Sequence, residues 1–292
     1  MRQELVASSR GIGVTEAIAG AVPEPVVPVL LALTFLGGTF FLVSVGPAVY
    51  WFGPSRGWLS RRQGARLLAV TLGALALVVA AKSLFSMARP PESVMLVAED
   101  GNGFPSGHVT GATVFYGALA ALTGVWNRRR RWLLAIGFIV LVGFTRLALG
   151  VHYLADVLGG FVVGGAFLAV ALALTKRRVV YGFAVAVALS AAGIVLAGPA
   201  HATDAVAALG ATAGALAGWV VLDRRRALER HVHPASGALA LAVLGGTTAF
   251  TLEADAAVPV VVAAHVVAGA VFVSLPAIQE RVGRSGAQNF SR

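Results

Sequence analysis

The sequence predicts an all-α protein, a polytopic bundle of membrane helices, and three observations carry that prediction. Hydrophobic residues make up 58% of the 292 positions, charged residues only 12%, and the mean hydropathy is +0.82. A soluble domain carries roughly a quarter charged residues, so the composition argues against a water-soluble enzyme. The charges that are present crowd into short stretches between long apolar runs, which is the pattern of spans and loops. With no cysteine there is no disulfide, thiolate metal site or cysteine nucleophile, and any chemistry falls to His, Ser, Asp, Glu, Lys or Arg.

A spanning helix needs about 20 mostly apolar residues at about 1.5 Å rise each. Nine segments approach that length: 26–50, 66–84, 109–126, 132–149, 156–174, 179–197, 204–222, 235–252 and 257–275. The first 25 residues lack a basic head followed by a continuous apolar core, so they do not read as a cleaved signal peptide. Val14, Ala17, Ile18 and Ala21 suggest one stripe of a short interfacial helix before Pro23 and Pro25.

Basic clusters flank alternate spans: Arg56 to Arg66, Arg128 to Arg131, Lys176 to Arg178, Arg224 to Arg230, and Arg281 to Arg292. If nine helices alternate, 18 of the 23 basic residues fall on one side, which the positive-inside rule makes cytoplasmic. The N-terminus is then outside and the C-terminus inside. The formal charge of +10 is thereby a topology signal, and a nucleic-acid partner loses its support. The outer face keeps five basic residues, Arg2, Arg10, Lys82, Arg89 and Arg146, and ten of the thirteen acids.

Three polar blocks stand at helix ends on that outer face. The first is Lys82 to Arg89-Pro90, where a continuing helix would put both cations on nearly one face, two turns apart, before proline ends it. The second is Pro105-Ser106-Gly107-His108, in which Ser106 suits an N-cap and Gly107 lets the backbone approach a ligand. The positive end of the following helix favours an anion beside His108. The third runs from Thr145-Arg146 to His152 and Asp156. The i, i+4 spacing on one helix face would let the carboxylate hold one ring nitrogen and leave the other as a lone pair.

Taken singly, these blocks have plain explanations: snorkelling cations, a capped helix, a structural His–Asp pair. Taken together, three cations and two histidines are the parts of a two-step phosphoryl transfer, with two Arg forks suited to phosphate oxygens. The scheme requires no metal, and no cluster of carboxylates is available to hold Mg²⁺.

The pattern Lys82-x6-Arg89-Pro90, Pro105-Ser106-Gly107-His108 and Thr145-Arg146-x5-His152-x3-Asp156 resembles the type 2 phosphatidic acid phosphatase family, whose fold also occurs in bacterial acid phosphatases and vanadium haloperoxidases. Only Thr145 departs from the family's serine. The resemblance covers residues 26 to 197. It implies that His152 is the nucleophile, Asp156 orients it, and His108 is the acid for the leaving group. Lys82, Arg89, Arg146, Ser106 and the Gly107 backbone N–H would bind the phosphoryl oxygens, with Pro105 and Thr145 in support and no cofactor.

The expected organisation is an N-terminal segment 1–25, a six-helix phosphatase core 26–198, about three further membrane helices in 199–278, and a cytoplasmic tail 279–292. Helix ends near the interface point to a lipid phosphate as the partner: phosphatidic acid, phosphatidylglycerol phosphate or a polyprenyl mono- or diphosphate. A phosphotransferase on the same site and a non-catalytic lipid-phosphate transporter or binder remain as alternatives, and a vanadate-dependent peroxidase is more remote. Gly101-Asn102-Gly103 reads as a turn or as a pliable segment beside the headgroup. In the added helices, His265 is expected to satisfy a neighbouring helix, and His231 and His233 lack the company a metal needs. Gly160 and Gly164 share a small-xxx-small spacing that favours close helix packing.

Overall fold

Apolar runs of this length can satisfy their backbone in lipid only as helices, and helices account for the structure, a computed structural model that describes residues 9–197, 202–224, 232–253 and 256–289. Among the described residues there are eleven α-helices and no strand. They are α1 Ile12–Gly20, α2 Val27–Thr34, α3 Thr39–Phe52, α4 Arg61–Phe85, α5 Gly107–Leu122 and α6 Arg128–Ala148. The chain continues with α7 Leu154–Arg177, α8 Val179–Leu196, α9 Ala202–Arg224, α10 Pro234–Glu253 and α11 Val258–Asn289. Six of these, α4, α6, α7, α8, α9 and the 258–279 part of α11, are long and apolar enough to cross a membrane. The protein is an integral membrane helical bundle.

Two of the nine expected spans differ. Segment 26–50 is not one helix but α2 and α3, separated by a 3-10 turn at Phe35–Gly37 and an extended Gly38. The break lets the chain press against the bundle: a Cβ on Gly37 would lie 2.6 Å from Val142 Cγ1 and 2.9 Å from the His108 carbonyl oxygen. Segment 109–126 is the 16-residue α5, almost wholly buried between its neighbours, so protein rather than lipid sets its length. Segment 235–252 is the 20-residue α10, as expected.

Local signals place several ends. Ser60 and Gln63 form a reciprocal capping box at the start of α4. The Asn127 side chain accepts from the Arg130 backbone N–H at 2.9 Å to open α6. The first charged block does not continue as a helix. Ser86 takes a left-handed conformation, α4 ends at Phe85, and Arg89 stands in the loop beyond it. Its approach to Lys82 therefore comes from the loop folding back and not from helical repeat. In the N-terminal segment, the packed positions of α1 are Thr15, Ile18 and Ala19, whereas Val14, Ala17 and Ala21 of the expected stripe are exposed.

Arg62 pairs with Asp223 at 3.0 Å, and Arg66 donates to the Leu172 carbonyl at 3.1 Å. The start of α4 and the ends of α7 and α9 thus share one end of the bundle, with their basic clusters; the three polar blocks meet at the other.

The added helices pack as the Ala- and Gly-rich composition expects. Gly210, Gly214 and Gly218 of α9 face the α11 backbone at 262–270, and Gly269 faces Ala211. A Cβ on Gly214 would drive into the Val266 carbonyl. Gly214→Val is therefore expected to cost about 1–3 kcal/mol of stability, read as a lower midpoint of thermal unfolding in detergent, while Gly245→Ala, where a Cβ meets nothing, leaves it unchanged. Gly160 and Gly164 of α7 play the same part against Val109 and Thr113 of α5. The pair docks on the core through Tyr50, whose hydroxyl donates to the Val273 carbonyl, and Trp51, whose indole N–H donates to that of Phe272, each at 2.8 Å. Pro276 lies within α11 just beyond these acceptors. His265 is buried, but its Nδ1–H donates to the Val261 carbonyl of its own helix at 2.8 Å and not to a neighbour. His233 Nδ1 accepts from the Ala235 N–H at 3.3 Å, and His231 lies outside the described residues.

Candidate active site

The third block is held by α7. Tyr153 is the N-cap, and Asp156, in the first turn, accepts the Tyr153 backbone N–H at 3.1 Å through Oδ2. The same oxygen lies 3.3 Å from His152 Nδ1. The expected His–Asp pairing is present, but not on a helix face: His152 precedes the N-cap, and the carboxylate reaches back over the helix end. Because the carboxylate takes the Nδ1 proton, Nε2 carries the lone pair, and it faces Arg89 Nη1 at 3.1 Å. Burial, together with the charges of Arg146, Arg89 and Lys82, holds the His152 pKa well below the usual histidine range. The ring is therefore neutral, as a nucleophile must be.

Arg89 is fixed in its loop by the Asp100 and Val151 carbonyls, which accept from Nε at 3.0 Å and from Nη1 at 2.9 Å. Arg146, near the end of α6 and only 2% exposed, donates Nη1 to Thr34 Oγ1 at 3.1 Å. The two guanidinium groups converge on one carboxylate. Glu99 accepts from Arg89 Nη2 at 3.0 Å through Oε1 and from Arg146 Nη2 through Oε2. Burial works to raise the Glu99 pKa, but the charges of Arg146 and Arg89 and the Arg146 hydrogen bond outweigh it, and the value falls to about 2. An ionised carboxylate with its oxygens spread over two Arg forks occupies the geometry of a tetrahedral oxyanion's edge.

The second block joins from α5. The Ser106 N–H donates to the Asp156 carbonyl at 3.0 Å, docking block on block. Ser106 stands at the N-cap position but makes no capping bond; its hydroxyl is buried without a partner, as is Arg146 Nε. Such buried orphans mark a place where a ligand oxygen fits. Lys82 reaches in from α4, its Nζ 3.9 Å from where a Cβ on Gly107 would stand. His108 Nε2 lies 3.7 Å from the corresponding point on Gly38. Pro105 follows a cis peptide and is buried. Thr145 is the one expected residue turned elsewhere: its hydroxyl donates to the Val142 carbonyl at 2.7 Å.

Two participants have no counterpart among the expected residues. Glu99 is supplied by the loop after Arg89, which docks through the Leu96 N–H onto the Leu149 carbonyl at 3.0 Å and against Gly150, whose φ of +72° suits only glycine there. Arg10 donates to the free oxygen of Asp156 at 2.6 Å. Both belong to the short roll of outer-face charges, which was their one signal in the sequence. The Gly101-Asn102-Gly103 segment is a tied turn: Asn102 Nδ2 donates to the Lys82 carbonyl at 2.9 Å, and the Gly103 N–H to that of Met87 at 2.7 Å. Among the described residues, no three His, Asp or Glu side chains come together as a metal site.

The pattern of the PAP2 superfamily matches residues 63–180, a stretch containing all three blocks. Phosphatidylglycerophosphatase B of Bacillus subtilis (strain 168) is 30% identical over 142 residues, which are 47% of this chain and 68% of that protein. A crystal structure of a transmembrane PAP2-type phosphatidylglycerolphosphate phosphatase from Bacillus subtilis superposes with a TM-score of 0.51 at 26% identity, covering 60% of this chain and 88% of the other. With its motifs inside the matched stretch and its helices in the same arrangement, this chain belongs to the PAP2 superfamily.

Proposed function

We propose that this membrane PAP2-type lipid phosphatase removes a terminal phosphoryl group through a phosphohistidine on His152, without metal. The observation that carries the reading is the meeting of the His152 lone pair with Arg89 while Arg89 and Arg146 share one oxyanion. In the first step His152 Nε2 forms a bond to phosphorus as the bond to the lipid oxygen breaks, and His108 gives its proton to that oxygen. Water then attacks phosphorus, its proton passes to His108, and the P–N bond breaks to free a neutral His152. Asp156 keeps the Nδ1 proton throughout. Lys82, Arg89, Arg146, Ser106 and the Gly107 N–H stabilise the charge on the equatorial oxygens. Burial first, and then the charges of Arg146, Lys82 and Arg89, oppose a proton on His108, so His108 acquires it with the negative charge of the arriving phosphate.

Phosphatidylglycerol phosphate heads the substrate list, because both relatives are named for it. The site is read as extracytoplasmic, opposite the basic clusters. The test is phosphate release in detergent with EDTA, across glycerolipid monophosphates and prenyl diphosphates. The expected result is release from the glycerolipid that survives chelation. Loss on chelation would contradict the metal-free mechanism, and binding without release from any lipid would favour the transporter reading. Single cysteines placed at the exposed Glu92 and Ser93 of this cysteine-free chain should label from outside the cell.

A further inference from the structure

We propose that Arg10, from the N-terminal segment, is a positioning residue for the His152–Asp156 pair; the inference rests on the reading of His152 as nucleophile. Its guanidinium joins two blocks. Nη2 donates to Asp156 Oδ1 at 2.6 Å, Nη1 donates to the carbonyl of Ala88, the neighbour of Arg89, at 2.8 Å, and Cζ lies 4.1 Å over the Tyr153 ring. The backbone takes part too. The Arg10 carbonyl accepts the Ala155 N–H at 3.1 Å, and Thr15 of α1 donates its hydroxyl to the His152 carbonyl at 3.2 Å.

Asp156 is fully buried, and its two oxygens have separate duties. Oδ2 takes the Tyr153 N–H and faces the His152 ring, leaving Oδ1 to Arg10. A buried carboxylate is tolerated only when paired and hydrogen-bonded. Without Arg10 it has two ways to relax: rotating so that Oδ2 leaves the imidazole, or taking up a proton. Either one removes the acceptor that fixes the tautomer and aim of His152. The contacts of Arg10 are with Asp156, the Ala88 carbonyl and the Tyr153 ring. Arg10 acts through Asp156, as the orienting partner of a ring nitrogen does elsewhere.

The test compares Arg10→Gln, Arg10→Lys and Arg10→Ala with wild type and His152→Ala in the full-length detergent-solubilised protein. The readouts are kcat, KM and competitive inhibition by inorganic phosphate. Arg10→Gln should lower kcat about 10- to 100-fold while KM and phosphate inhibition stay within about twofold, because Lys82, Arg89 and Arg146 are untouched. Guanidinium at non-denaturing concentration should restore part of the kcat of Arg10→Ala, which no unfolded enzyme would show. An unchanged kcat, or a loss carried by KM and phosphate inhibition together, overturns the proposal. Should Arg10→Gln not fold, Arg10→Lys decides: its single ammonium cannot serve both Ala88 and Asp156, so a kcat loss supports the role and a wild-type kcat overturns it. Turnover by His152→Ala would instead overturn the underlying mechanism.

Discussion

His152→Ala is expected to lose turnover by about 10⁴-fold or more, the scale on which nucleophile removal acts when the rest of a site stays in place. Inorganic phosphate should still inhibit, because the cradle is intact. His108→Ala separates the two steps. An alkoxide leaving from a glycerolipid needs a proton far more than a phosphate leaving from a diphosphate does, so the variant should lose more activity on monophosphate lipids than on prenyl diphosphates. Rapid quenching of His108→Ala with a diphosphate should trap an acid-labile phosphoenzyme, since the base for water is missing while the nucleophile remains. Equal losses on both substrates, with no trapped phosphoenzyme, would remove His108 from the acid role.

Arg146→Lys should lower kcat/KM by about 10²- to 10³-fold, the usual cost of one preorganised donor to a developing charge. Lysine keeps the charge but presents one point where the guanidinium serves Thr34 and Glu99 together. Glu99→Gln should act in the opposite direction on anion affinity. The carboxylate competes with phosphate for both forks, and its neutral isostere should tighten phosphate inhibition by on the order of tenfold. Phosphate inhibition that weakened in Glu99→Gln would show that Glu99 helps hold the anion and does not compete with it.

The three blocks were legible because each is local: a fixed spacing in sequence brings Asp156 to His152 whether or not a helix intervenes. Their convergence was legible from topology, since alternation of spans puts residues 82–108 and 145–156 at one end. Glu99 and Arg10 were not. Glu99 stands 47 residues from Arg146, and Arg10 stands 146 residues from Asp156, so neither pairing leaves a local pattern. The break at Gly37 and Gly38 was visible as composition, yet hydropathy alone joins α2 to α3. The apolar span 66–84 ends within one residue of Phe85, but a helix continuing to Arg89 and stopped by Pro90 does not form, because the chain has already turned at Ser86. Helix propensity sees the blocking residue but not the tertiary contacts that reward an earlier stop.

The proline at 276 leaves the carbonyl one turn before it, that of Phe272, without an amide to receive, and the Trp51 indole fills the vacancy. Moving α11 by one turn, about 5.4 Å, would strand both groups where no water can reach them. A gap in backbone bonding thus acts as a notch that sets the register of the C-terminal helices on the core, and axial sliding between the two is not a motion this bundle can use.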